Sequence, residues 1–235
     1  MAPPDPSLPQ APLLEAVGAT RQLPEGAVLV RDVNLAFGRG EFVAVTGPSG
    51  SGKSSLLYLL GLLDRPSAGH VALEGRDTAK LSTNELAALR LAKLGFVFQF
   101  HFLLPEFSAL DNVEIPIRRL GRLKGPAVRE RAMALLGALG LGAAARKLPE
   151  QLSGGMRQRC AVARALANDP ALILADEPTG NLDTANAAGV FDIFERLTRE
   201  EGRTVIVVTH DPDLAKRATR RIHLVDGRIV SDTGG

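Results

Sequence analysis

The chain alternates between two kinds of apolar patterning. Short β-branched runs, several of them continuously apolar, are separated by longer stretches with helical spacing. The candidate strands are Val28–Val33, Phe42–Thr46, His70–Leu73, Leu94–Phe98, Ala171–Ala175, Thr204–Val208, Ile222–Val225 and Arg228–Ser231. The candidate helices are Lys53–Leu63, Asn84–Lys93, Pro126–Leu139, Gly154–Ala167 and Ala185–Glu200. A run such as Thr204-Val205-Ile206-Val207-Val208 has no polar face, which suits a parallel strand covered on both sides. Strand–helix alternation predicts an α/β fold with a mostly parallel sheet. From about 100 to 168 no strand pattern stands out, so this stretch is expected to be a helical insert. Asp226-Gly227 between two β-like runs predicts a hairpin.

Composition adjusts this picture only slightly. Of 235 residues 45% are hydrophobic and 23% charged, a globular balance with material for a sizeable core. The net charge of +2 argues against nucleic acid held by bulk electrostatics, and no nucleic-acid partner is expected. A single cysteine, Cys160, excludes an internal disulfide and points to a reducing compartment. No run approaches the roughly 20 apolar residues that span a bilayer, so membrane contact is expected through partners only. Residues 1–12 hold five prolines and no apolar core of a signal peptide, and read as a disordered leader before a domain over 13–235.

The chemistry starts at residues 47–54. Gly47-Pro48-Ser49-Gly50-Ser51-Gly52-Lys53-Ser54 matches the phosphate-loop pattern, between a strand-like run and a helix-like run that begins at Ser55. Glycines let the backbone turn tightly and aim N–H groups at phosphate oxygens, and the helix N-terminus adds positive potential. Lys53 would bridge the β- and γ-phosphates, and Ser54 would ligate magnesium. The alternative, a flexible Gly/Ser turn, does not account for the complete pattern in a strand–loop–helix context. The apolar run Ala171–Ala175 leads into Asp176-Glu177, at the sheet edge where such folds bind ligands. Asp176 would hold magnesium through water, and Glu177 would orient and polarise the attacking water.

Leu152-Ser153-Gly154-Gly155, about 20 residues before that acidic strand, is weak alone. In this order with the phosphate loop and the acidic pair, the chain resembles the nucleotide-binding subunits of ABC transporters over residues 13–232. Gln99 matches the family's glutamine loop, Gly180-Asn181-Leu182-Asp183 its loop toward the opposite monomer, and His210 its switch histidine. The resemblance implies a phosphate-loop NTPase core with an antiparallel β subdomain and an inserted helical subdomain. It implies a head-to-tail, ATP-dependent dimer of two copies. Ser153, Gly154, Gly155 and Asp183 of one copy would then complete the site formed in the other by Gly47–Ser55, Gln99 and the acidic pair. Glu177, His210 and Lys53 would be the catalytic set, and Ser54, Gln99 and Asp176 the magnesium set. ATP and Mg²⁺ would be the cofactors.

Two positions depart from the family pattern. Leu23 stands where an aromatic ring commonly stacks on adenine, and Met156 follows Gly155 in place of the usual glutamine. Tyr58, in the phosphate-loop helix, reads as a core residue rather than a replacement ring. The segment 99–113, apolar and rich in Phe, together with 176–183, is most similar to the lipoprotein-releasing branch of the family, with macrolide-exporter and cell-division ATPases close by. That implies a peripheral subunit on the cytoplasmic face of a bacterial inner membrane, docked through segment 99–113 to two separate integral permease subunits. A non-hydrolysing ATP-binding adaptor is the reading from another class, and Glu177 and His210 argue against it.

Overall fold

The computed structural model describes residues 11–234, and most of the 1–12 leader falls outside the described residues. The core is a six-stranded sheet. Its strands are β3 (Phe42–Thr46), β6 (Leu94–Phe98), β7 (Leu172–Asp176), β8 (Thr204–Val208), β9 (Arg220–Val225) and β10 (Arg228–Gly234), in the order β10-β9-β3-β8-β7-β6. All neighbours are parallel except the β9–β10 hairpin. Its Asp226-Gly227 turn has φ of 47° and 75°, the two left-handed residues that a tight hairpin needs. Every residue of β7 and β8 is buried, as continuously apolar strands require when helices cover both faces.

A second sheet, antiparallel and four-stranded, runs β2-β1-β4-β5, from β1 (Leu14–Gln22), β2 (Val28–Phe37), β4 (Ala68–Leu73) and β5 (Arg76–Asp77). Sequence pattern misses β1. Gly18 interrupts LEAVGATRQ, and register shifts against both neighbours break the alternation. Helix α1 (Lys53–Leu60) joins this sheet to the core through Leu56, Leu57, Leu59 and Leu60. It ends at Leu60 and not at Leu63, because Leu62 turns left-handed, with φ of 57°, and the Leu63 N–H closes back on Tyr58 O. Helix α2 (Thr83–Lys93) starts at a capping box, with Ser82 and Glu85 satisfying each other's backbone N–H groups.

Between β6 and β7 the chain is helical: α3 (Ala109–Leu120), α4 (Pro126–Ala138), two short 3-10 turns and α5 (Gly154–Ala165). No clear helical pattern marks α3, because Pro116 lies inside it. A second capping box, Ser108 with Asp111, starts it. The apolar segment then divides. Ala109, Leu110 and Val113 enter the core, whereas Phe100, Phe102, Leu104 and Phe107 stay exposed. Helices α6 (Thr184–Arg199) and α7 (Pro212–Ala215) complete the order. Under the parallel sheet Phe42 meets Phe191 of α6 at a tilt, 5.9 Å between centroids, and Phe194 edge-on, at 6.5 Å.

Candidate functional site

Four loops leave the carboxyl ends of parallel strands along one edge: the phosphate loop after β3, Gln99 after β6, Glu177 after β7 and His210 after β8. The register aligns them. Phe98 lies opposite Asp176, Asp176 opposite Val208, and Val45 opposite Val208. Open α/β sheets bind ligands at such an edge.

The phosphate loop needs its glycines. Gly47, Gly50 and Gly52 have φ of 146°, 78° and 97°. A Cβ at Gly47 would lie 2.0 Å from the Leu224 carbonyl oxygen, and one at Gly52 would lie 2.1 Å from that of Leu29. Pro48, Ser49 and Gly50 stay exposed at the tip, whereas Ser51 and Lys53 are buried. Ser55 is half-buried in the first turn of α1. Gly52→Ala is therefore expected to cost at least about 1–3 kcal/mol through backbone strain alone. A melting curve lowered by several degrees checks this, and an unchanged curve counts against it.

The side chains build a small polar cluster. The Lys53 ammonium donates to the carbonyl oxygens of Gly47 at 3.0 Å and Pro48 at 2.8 Å, so its charge is already held over the loop. Ser54 Oγ donates to Asp176 Oδ1 at 2.9 Å. Burial pushes the Asp176 carboxyl above its ordinary value, while hydrogen bonds from Ser54 and Tyr58 pull it down. Tyr58 lies one helical turn beyond Ser54 on the same face. Its ring packs on the core, and burial, then the nearby Asp176 carboxylate, raises its phenol above the usual range. The core reading of Tyr58 thus omitted its hydroxyl.

Glu177 follows with φ of 43°, its N–H donating to Val208 O at 3.0 Å. Its Oε2 lies 3.4 Å from His210 Nδ1, and its charge still helps raise the neighbouring Asp176 carboxyl. His210 itself is exposed. The two thus face the open side of the edge together. A cavity of about 340 Å³ is lined by Glu177, Gly180, Leu182 and His210 among others.

Gln99 is tied down. Its Nε2 donates to Asn181 Oδ1, and Asn181 Nδ2 donates back to Gln99 O, both at 3.3 Å. Gly180 makes room for this pair, since a Cβ there would lie 2.7 Å from Gln99 Nε2. Asn181, which the pattern carried only as part of a loop, therefore links the second and third loops.

Ser153, Gly154 and Gly155 form the N-terminus of α5. Ser153 Oγ accepts from Met156 N at 3.3 Å, leaving Ser153 exposed. Gly155 faces Asn186, where a Cβ would fall 2.1 Å from its Oδ1. Asp183 caps α6, accepting from Asn186 N at 2.9 Å and from Asn186 Nδ2 at 2.7 Å. These hydrogen bonds hold the Asp183 carboxyl below its ordinary value. Among the described residues, this group contacts Leu182 and Asn186 and makes no hydrogen bond to the Lys53 cluster. Met156 is half-buried against the core, and Cys160 is fully buried with its thiol pushed up to about 11, an inert packing residue. Leu23 closes the turn between β1 and β2, its N–H donating to Ala27 O at 2.8 Å. It is half-buried.

The donor set suits magnesium with a nucleotide and no standing metal cage. Among the described residues no group of three or more His, Cys, Asp or Glu could hold an ion. Magnesium needs only one or two protein oxygens when phosphates and water supply the rest. Ser54 Oγ beside the Asp176 carboxylate meets that need, since a hydroxyl that donates its proton keeps lone pairs for a cation.

Comparison with known proteins places these features in context. The ABC transporter family pattern matches residues 30–180. The lipoprotein-releasing system ATP-binding protein LolD 1 of Chlorobium chlorochromatii is 51% identical over 204 residues, 87% of this chain and 83% of that protein. The macrolide export ATP-binding/permease protein MacB 1/2 of Paracoccus denitrificans is 52% identical over 225 residues, 94% of this chain but 33% of that longer protein. A solved dimeric ATP-binding cassette in a post-hydrolysis state, bound to ADP and Pi, superimposes with a TM-score of 0.87 at 40% identity, covering 94% of this chain and 98% of that one.

Proposed function

The chain belongs to the ABC transporter family, and on that premise we propose that it powers release of lipoproteins from the bacterial inner membrane toward the outer membrane. It is an ATP-binding and ATP-hydrolysing cassette of that family. The observation that carries the lipoprotein reading is 51% identity to a lipoprotein-releasing ATP-binding protein over most of both chains.

In this reading ATP lies along the carboxyl edge of the sheet, with its phosphates over Gly47–Ser55 and its base toward Leu23. Lys53 neutralises the β- and γ-phosphates as a buried point charge that moves little from its place over the loop. Ser54, Asp176 through water and Gln99 would hold magnesium, which would supply charge neutralisation to the phosphates. Glu177 orients the attacking water and accepts its proton, and His210, 3.4 Å from Glu177, hydrogen-bonds the γ-phosphate and supports the Glu177–water geometry. The exposed N-terminus of α5, with Ser153 to Gly155 and Asp183, serves the site of a second copy, as backbone N–H groups at a helix start suit phosphate. The solved dimeric cassette supports this arrangement.

Among the described residues no helix is long and apolar enough to cross a membrane. We therefore assign the chain a peripheral place on the cytoplasmic face, held by two integral permease subunits against the exposed Phe100, Phe102, Leu104 and Phe107. The test is co-purification with two membrane subunits, followed by lipoprotein release from spheroplasts or proteoliposomes. Release that persists with Glu177→Gln sinks the proposal. The similarity to a macrolide exporter favours efflux as the second reading. Loss of macrolide resistance without a defect in lipoprotein release on deletion would select it.

A further inference from the structure

Two consecutive non-glycine residues, His101 and Phe102, have φ of 61° and 47°. Left-handed backbone is costly for residues with a Cβ, and a consecutive pair persists only when the surroundings hold it. One side chain does so here. Arg164, near the end of α5, donates from Nη2 to His101 O and from Nη1 to Phe102 O, both at 2.6 Å. Successive left-handed residues turn their carbonyls to one side, and the planar guanidinium fork spans both. Burial lowers the Arg164 pKa, with no carboxylate among the causes, so the two carbonyls are the acceptors of a largely desolvated cation. Such charge-assisted hydrogen bonds are stronger than neutral ones.

The same helix grips the loop elsewhere. Gln158 Nε2 donates to Phe98 O at 3.4 Å, just before Gln99, and the Gln158 side chain is fully buried. The His101 ring sits against the backbone of Gly154, at the helix's first turn. Loop 98–102 is therefore fastened to α5 at both ends, with Gln99 at the ATP edge and the exposed rings of Phe100 and Phe102 on the outside.

We propose that Arg164 is a positioning residue that locks the His101-Phe102 turn, so that Gln99 and the Ser153–Gly155 helix start move as one rigid piece. The proposal rests on Gln99 and Ser153–Gly155 serving the composite ATP site. It assigns to Arg164 no contact with nucleotide; its effect passes through the loop it holds.

Arg164→Met keeps the length of the side chain and removes its donors, and Arg164→Lys keeps the charge but not the fork. Amide hydrogen exchange of the full-length chain, with a melting curve and steady-state phosphate release, reads the effect. In Arg164→Met, exchange at 99–104 and 154–158 rises by roughly tenfold or more, as loss of two charge-assisted hydrogen bonds requires, while 204–208 keeps its protection. The kcat for ATP falls by about 10–100-fold with KM little changed, since misplacement costs rate before it costs binding. Arg164→Lys lies between the two. Unchanged exchange at 99–104 with unchanged kcat overturns the proposal. So does parallel loosening of 204–208 with a general fall in melting temperature, in either variant, which would make Arg164 a packing residue. If ATP gives no protection at 47–55 in the unaltered chain, the ATP site itself fails and the proposal with it.

Discussion

Glu177→Gln lowers magnesium-dependent phosphate release by about 10²–10⁴-fold, the range a positioned general base contributes. The residue sits where the chain leaves the fully buried β7, and its N–H is anchored on Val208 O. Its φ of 43° is left-handed, and its carboxylate lies beside His210. Two adjacent acids thereby acquire different environments: Asp176 is buried with its pKa raised, and Glu177 faces the open edge. Glutamine keeps the shape and can still orient water, but it cannot take the proton. Nucleotide binding, measured by calorimetry on the same preparation, is expected to stay close to that of the unaltered chain. Phosphate release at the ordinary rate would mean that another group takes the proton.

Lys53→Ala is expected to reduce kcat/KM for ATP by about 10²–10³-fold, comparable to the loss of one preorganised charge stabiliser elsewhere. The ammonium is only 7% exposed and is held by the carbonyls of Gly47 and Pro48. It is therefore fixed before substrate arrives, and little reorganisation is needed when phosphate approaches. Removing it leaves two loop carbonyls without their donor and leaves the phosphates without their nearest fixed cation. Unlike Glu177→Gln, this change is expected to weaken binding as well as turnover. Calorimetry separates the two: ATP affinity unchanged in Lys53→Ala would contradict the role.

The local chemistry was legible in the sequence because it is written in short windows. The glycines of 47–52 are spaced for a loop whose φ values only glycine adopts freely, and the structure places Leu29 and Leu224 carbonyls where side chains would collide. Continuous apolar runs gave β3, β6 and β8 with their ends in place. Asp226-Gly227 gave the last hairpin. Where a window was ambiguous, the pattern failed. Gly18 and the register shifts hid β1, and Pro116 hid α3. The Phe-rich segment 99–113 could not be divided by composition into buried and exposed parts, because both are equally apolar. Its division follows from Asn112, which is buried and fixes the turn by hydrogen bonds to Leu104, Phe107 and Ser108.

The sequence by itself determined the α/β class, the phosphate loop, the acidic pair and the family, since turn chemistry and apolar period act over a few neighbouring residues. Only the tertiary structure decided which distant groups share a proton or a position. Ser54 meets Asp176 across 122 positions, Gln99 meets Asn181 across 82, and Arg164 meets His101 across 63. Among the described residues, Ser153–Gly155 makes no hydrogen bond to the Lys53 cluster of its own chain. Such pairings depend on strand order and helix packing, which bring remote segments to one edge, and no local pattern carries that information.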